Sequence, residues 1–203
     1  MKKGCLIGGV VGLLALAAIV LIWGINLNNK IKMEDQSVQK QWSNVENTYQ
    51  KRTDLIDQTV STVKGAANFE QSTLTEVINA RAKATSTEVK INDASDLTPE
   101  NIAKFQQAQD QLGGALSRLL VSIERYPELK AVQNFSSLQA TVESMESEIL
   151  FERRKYNDAA EKFNKMIVTF PESFVANFIG AKEKGYFKAA TGSENAPKID
   201  FSN

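Results

Sequence analysis

The sequence contains no histidine and a single cysteine, Cys5. The usual zinc, haem and copper ligand sets are therefore missing, as are a Cys-His nucleophile, a Ser-His-Asp triad and a disulfide framework. Carboxylate, lysine and tyrosine chemistry is what remains, and an all-carboxylate site for a divalent ion has no supporting motif. No cofactor is expected. An excess of one charge is lacking too: 24 Lys plus Arg balance 24 Asp plus Glu, so nothing provides the basic footprint of a nucleic-acid binder. Proline is scarce, at 4 in 203 residues, and several of the 11 glycines sit near the N-terminus. Long stretches are thus free of helix breakers.

What is present is a long apolar run. Residues 6–27 carry no ionisable side chain and read as Leu, Ile, Val, Ala and Gly, enough for a helix to cross a bilayer. Trp23 suits the headgroup boundary, and Asn26, Asn28, Asn29 and Lys30 return the chain to water. A cleaved signal peptide is the competing reading, with Ala15 and Ala17 as its cleavage site. Cutting there would leave Ile19 to Trp23 as an apolar terminus, so the run is read as an anchor. Cys5 precedes the apolar region, which argues against a lipoprotein and leaves it a plain thiol. Lys2 and Lys3 on one side balance Lys30, Lys32 and Lys40 on the other under the positive-inside rule. Gly4, Gly8 and Gly12 stack on one helix face, a packing surface for a second membrane helix or another copy of the chain. The plainer explanation is that glycine is common in membrane helices.

Behind the anchor, periodicity predicts an all-α domain. Ile31, Val38, Val45, Arg52 and Thr59 recur every seven residues, with Asp35, Trp42, Tyr49, Ile56 and Val63 as the companion row. Gly65 and Asn68 suggest that this helix ends or bends there. Phe69 to about Ile91 reads as a second helix, followed by a polar break at residues 92–96. Thr98-Pro99-Glu100 is a start signal: a cap, a proline at the first helical position and an acid at the positive end of the dipole. Ile102, Phe105, Leu112, Leu116, Leu119, Ile123 and Tyr126 then hold one face until Pro127, with Gly113-Gly114 as a local interruption. From about Leu129, Phe135, Val142, Ile149, Tyr156, Phe163 and Phe170 repeat every seven, beside Leu138, Met145, Glu152, Ala159 and Met166, until Pro171.

Short connections make these helices antiparallel neighbours, an up-down-up-down four-helix bundle, or three long helices if the first two segments are fused. The chain divides into a short N-terminal tail (1–5), a transmembrane anchor (6–27), a helical-bundle domain (28–171) and a C-terminal tail (172–203). In that tail Phe174, Val175, Phe178, Tyr186, Phe187 and Phe201 predict a short helix and an extended segment that docks its aromatics on the bundle. A partner or the membrane surface is the other taker for them.

Charges on the seams are the candidate site. Arg52 lies on the apolar row of the first helix and needs a carboxylate if buried, with Asp54, Glu143, Glu146 and Glu152 as candidates. Arg81 and Arg118 pose the same question. Arg52, Asp54, Arg81, Arg118 and Glu152 are thus expected either to form a buried polar network or to be paired structurally and snorkel to solvent.

The residues also resemble a known family. Trp42-Ser43-Asn44-Val45-Glu46-Asn47, Tyr49 to Ile56 and Val63-Lys64-Gly65 are similar to the LemA family of membrane proteins. So are Ala80-Arg81-Ala82-Lys83-Ala84, Leu116 to Leu120, Tyr126 to Ala131, Phe151 to Asn157, Phe170-Pro171 and Ala196 to Phe201. The resemblance runs from anchor to tail. It implies a bacterial single-pass membrane protein with a helical bundle and no established biochemical activity. Asp57 stands where the family usually has proline, which implies a straighter first helix, and Asn68-Phe69 replaces a segment that often carries histidine. Two functions follow as expectations: a non-enzymatic scaffold or adaptor holding partner proteins at the bilayer, or a ligand-binding or enzymatic module built on an Arg/carboxylate pocket. Family context adds membrane quality-control proteases to the candidate partners.

Overall fold

The apolar run and the first seam form one helix. In the computed structural model, which describes residues 2–64, 70–86, 91–126 and 134–189, α1 extends without a break over Lys2–Lys64, 63 residues. At about 1.5 Å per residue that is roughly 95 Å, far longer than the rest of the chain can clothe. From Ile7 to Trp23 the helix is bare, and the first buried side chain is Leu27. One helix long and apolar enough to cross a membrane thus stands near the N-terminus. No proline kinks it at Asp57, whose carboxylate instead receives Arg81 of the next helix at 2.6 Å.

The remaining described elements are α2 (Gln71–Ala84), a 3-10 turn (Ala94–Asp96), α3 (Pro99–Ile123), α4 (Asn134–Val168) and α5 (Glu172–Phe178). No strand occurs among the described residues. Lys51 meets Glu148 and Lys162 meets Glu34, so α4 runs antiparallel to α1 along its length. Arg118 meets Glu76 and Arg125 meets Glu70, which sets α2 antiparallel to α3. An up-down-up-down helical bundle results. The start signal works as read: Thr98 Oγ1 accepts from the Asn101 amide at 3.3 Å, and Pro99 opens α3. Both rows of α1 from Ile31 to Val63 are buried apart from Asp35, and so is the α4 row from Val142 to Phe163, while its adjoining row, Met145, Glu152, Ala159 and Met166, is half-buried.

Three expectations change. α2 has only 14 residues rather than the stretch from Phe69 to Ile91, and it covers only the far half of α1. α4 stops at Val168, so Phe170 leaves the seam and is 80% exposed; a heptad count continues past a helix end that backbone geometry has already set. Phe174 and Phe178 do not dock on the bundle, being 73% and 89% exposed, because α5 turns Ala176 inward between them. Gly65, Asn68, Phe69, Pro127 to Ala131 and the segment Ala196 to Phe201, with its aromatic Phe201, lie outside the described residues, as do the side chains of Phe135 and Leu138.

Tyr186 and Phe187 do dock. α5 ends in a Schellman motif, with Gly180 at φ +70°, the Ala181 amide bonded to the Ala176 carbonyl and the Gly180 amide to that of Asn177. The chain then reverses into an extended strap, residues 181–189, laid between α3 and α4. Strap backbone needs partners, and no strand is there to give them. Amide side chains do so in pairs: Asn164 brackets the N–H and C=O of Lys184, Asn157 those of Phe187, and Gln106 those of Lys188, each bond at 2.8 to 2.9 Å. Gly185 donates to the Leu97 carbonyl and accepts from the Tyr156 hydroxyl.

Gly185 sits so close to α3 that a β-carbon would stand 2.7 Å from the Pro99 α-carbon and 2.9 Å from the Thr98 carbonyl oxygen. Backbone on both sides cannot give way. Gly185→Ala is expected to lower unfolding stability by about 1–3 kcal/mol, measured by urea denaturation of the detergent-solubilised chain. A variant as stable as the parent would show that the strap is not seated as described.

Candidate functional site

Two apolar clusters fill the bundle. The cluster nearer the apolar run holds Val38, Trp42, Tyr49, Phe105, Ile149, Tyr156, Phe163 and Phe187; the distal one holds Leu55, Ile56, Val77, Leu112, Leu116, Leu119 and Val142. Every long helix changes cluster at one level: α1 between Tyr49 and Leu55, α3 between Phe105 and Leu112, α4 between Ile149 and Val142. At that level stand Arg52, Gln109 and Glu146. Arg52 is 2% exposed, donates from Nη2 to the Gln109 carbonyl at 2.8 Å, and faces Glu146 Oε1 from Nε at 3.6 Å. Burial lowers its pKa and the Glu146 carboxylate opposes that shift.

Room for the guanidinium comes from Gly113. A β-carbon there would lie 2.6 Å from Arg52 Nη2, whereas one on Gly114 would touch only Arg118 Nη1, at 3.5 Å. The glycine pair that interrupts α3 is thus asymmetric: Gly113 admits Arg52.

Beside this layer lies a second arginine, which the hydropathy pattern did not single out. Arg153 donates from Nε to the Tyr49 hydroxyl at 2.6 Å and from Nη2 to Asp110 at 2.9 Å, with its guanidinium 5.7 Å from the Tyr49 ring centre and 5.0 Å from that of Phe187. Burial works against its charge, and Tyr49 with Asp110 overcomes that and raises its pKa. Trp42 is fully buried among edge-on Phe105 and Tyr156 at 5.0 and 5.6 Å and a stacked Phe187 at 6.2 Å. Such ring geometry adds specific attraction to the area buried. A second fully buried cation, Lys184 of the strap, reaches Asp35 at 2.6 Å and the Ala94 carbonyl at 2.7 Å.

The five charged residues singled out from sequence do not converge. Arg52 alone is buried. Asp54 is exposed and accepts from Gln50 one turn back on its own helix. Arg81 pairs with Asp57, Arg118 with Glu76, and Glu152 with Lys155 one turn along α4. Helical phase explains the scatter, since Asp54 is two residues from Arg52 and faces away. Arg52 takes Glu146 from among its four candidate carboxylates. Gly8 and Gly12 stand on the bare stretch of α1, with nothing within 4 Å of either, and the surroundings of Gly4 lie outside the described residues.

Arg52 lies buried between the two clusters, while the facing Glu146 side chain is 44% exposed. A shallow groove of about 970 Å³ lies elsewhere, between α2 and α3, bordered by Glu76, Lys83, Asp110 and Arg118 and reached by the end of the strap at Lys188. Among the described residues no group of three acidic or cysteine side chains is placed to hold a metal ion.

An all-α antiparallel bundle carried on one continuous helix with a bare apolar front is the class of protein that this fold defines. The sequence model of the LemA family matches residues 41–201, and the chain belongs to that family. Protein LemA of Metamycoplasma hominis is 24% identical over 166 residues, which cover 82% of this chain and 71% of that protein. Magnetosome protein MamQ 2 of Paramagnetospirillum magneticum is 32% identical over 81 residues. That match covers 40% of this chain and only 30% of the magnetosome protein's length.

Gly114→Ala is expected to stabilise the chain by about 1 kcal/mol through helix propensity. Gly113→Ala is expected to destabilise the parent and to stabilise Arg52→Met, a reversal of sign in a double-mutant cycle. The same sign in both backgrounds would mean that Gly113 does not accommodate Arg52. Burial pushes the Tyr49 hydroxyl up to about 12, against the opposing pull of Arg153 and Arg52. An unfolded tyrosine ionises near 10, so this contribution to stability is complete below pH 10 and is lost as pH climbs from 10 to 12. Tyr49→Phe is expected to cost about 1.5 kcal/mol at neutral pH and to flatten that alkaline decline, read by denaturation across the range; Tyr156, also raised by burial, leaves a residual slope.

Proposed function

We propose that this protein is a membrane-tethered, non-enzymatic scaffold or adaptor, anchored through residues 6–27 and presenting a rigid bundle to partner proteins at the bilayer. The single observation that carries this reading is the continuity of α1: the bare apolar front and the buried seam belong to one helix, so the span and the bundle move as one body. A loose linker would serve a tethered catalyst equally well. A helix with no break transmits position.

The pairing of buried Arg52 with Glu146 and the Gln109 carbonyl, apart from the other charged residues singled out from sequence, supports a structural role for that arginine over the Arg/carboxylate pocket of the alternative reading. The open, charged groove between α2 and α3 offers the surface on which a partner would sit, with membrane proteases among the candidates that the family context suggests. Its mixed charges suit a polar, exchangeable contact rather than a permanent one.

Photocrosslinkers placed at Gln107 and Gln111 in the native membrane are expected to capture the same neighbour repeatedly, while one at Glu124, at the far end of α3, does not. No reproducible neighbour from the groove positions would overturn the adaptor reading. A Gly-Ser insertion after Asn28 is expected to leave the bundle's helix content and stability intact and to abolish the groove crosslink; full capture through a flexible joint would show that rigid placement is unnecessary.

A further inference from the structure

We propose that the corner between α4 and α5 is a second contact with the bilayer, in which Phe170, Phe174 and Phe178 enter the headgroup boundary beside α1. The proposal rests on the reading of residues 6–27 as a membrane span, and it adds a site that the span alone does not require.

Position is the first observation. Glu172, at the start of α5, holds Lys30 at 2.6 Å, and Lys30 is the first charged residue after the apolar run. Lys30 stands three residues beyond Leu27, about 4.5 Å along the axis. The headgroup layer on each side of the hydrocarbon is about 5–8 Å deep. Counted from Trp23, the other marker of the boundary, Lys30 is about 10 Å along the axis, so α5 begins between the inside and the outer edge of that layer. The far side of the same helix is fixed to the bundle, with Ala176 buried in the cluster nearer the span and Val175 packed on it.

Composition is the second. Phe174 and Phe178 are four residues apart and share one face of α5, and Phe170 precedes them at the turn. All three are more than 70% exposed. Outside the apolar run, half of the exposed large apolar side chains among the described residues fall between Val168 and Ile179. Such a concentration marks an interaction surface rather than ordinary scatter. The exposed ammonium groups of Lys32 and Lys182 flank the pocket beside this corner, where anionic headgroups would meet them. Aromatic rings facing outward with lysines alongside, at the height where a span leaves the hydrocarbon, match an interfacial contact in both depth and chemistry.

Two contacts fix what one cannot. A lone helix leaves tilt and rotation free, whereas α1 and the phenylalanine corner together define how the bundle stands on the membrane.

The full chain carrying Cys5→Ser and either Phe174→Cys or Phe178→Cys, labelled with an environment-sensitive fluorophore, is reconstituted into vesicles of phosphatidylcholine and phosphatidylglycerol. A Val121→Cys label at the opposite end of α3 serves as the comparison. Labels at 174 and 178 are expected to shift to the blue and to lose most of their emission to lipids bearing a nitroxide high on the acyl chain, while the label at 121 is unaffected. Labels at 174 and 178 that stay in water, on protein that alkaline carbonate does not extract, overturn the second contact and leave the anchor standing. Protein released by carbonate overturns the anchor itself. A blue shift that grows with protein density and resists the lipid quencher assigns the corner to a second copy of the chain, and the proposal fails.

Discussion

A guanidinium placed between two hydrophobic clusters constrains the whole bundle. Arg52 can keep its charge only where the Gln109 carbonyl, the Glu146 carboxylate and the gap left by Gly113 meet. Sliding α3 or α4 by one turn would carry the charge into Leu112 or Ile149, and an unpaired charge among apolar side chains is far costlier than any packing gained there. The hydrophobic rows by themselves would tolerate such a slip, because two rows offset by three or four residues present apolar side chains at every turn. The polar layer removes that degeneracy.

On either side of the layer the bundle is built differently. In the distal half α2 lies against α3 in the ordinary way, apolar face to apolar face, with ion pairs along the rim. Nearer the apolar run α2 has ended, and the fourth flank is supplied by a loop, a 3-10 turn and the extended strap. Helices and an extended chain cannot share a hydrogen-bond ladder, so Asn164, Asn157 and Gln106 stand in for a neighbouring strand. Phe187 completes the aromatic box around Trp42, and Arg153 closes it with its guanidinium over the ring.

Much of this was legible in the residues, for definite reasons. The rows Ile31 to Thr59 and Val142 to Phe163 announced the pairing of α1 and α4 because burial selects side chains at helical spacing. Thr98-Pro99-Glu100 announced α3 because a cap, a fixed φ and a dipole partner are local. Phe170 misled because a heptad count has no knowledge of where a helix ends. The tail aromatics point to a docked segment but not to its clamps: an asparagine facing a backbone has the same hydropathy as one facing water. Asn157 and Asn164 do fall seven apart on one edge of α4, and a repeated amide beside an apolar seam was the available signal. Arg153 gives no signal in the sequence for a related reason, since arginine next to a seam usually reaches solvent, and it is the hydroxyl of Tyr49 and the carboxylate of Asp110 that hold it in.

The strap also bears on biosynthesis. Trp42 emerges early in translation, and Phe187, the ring stacked on it, emerges only after α2, α3, α4 and α5 have all been made. Domains generally fold as units while the chain lengthens. Here the half of the bundle next to the apolar run keeps an open aromatic trough until the strap arrives, so a chain halted before residue 184 displays Trp42 and Phe105 uncovered. A truncated copy carries its own mark of incompleteness, readable by any factor that binds exposed aromatic surface.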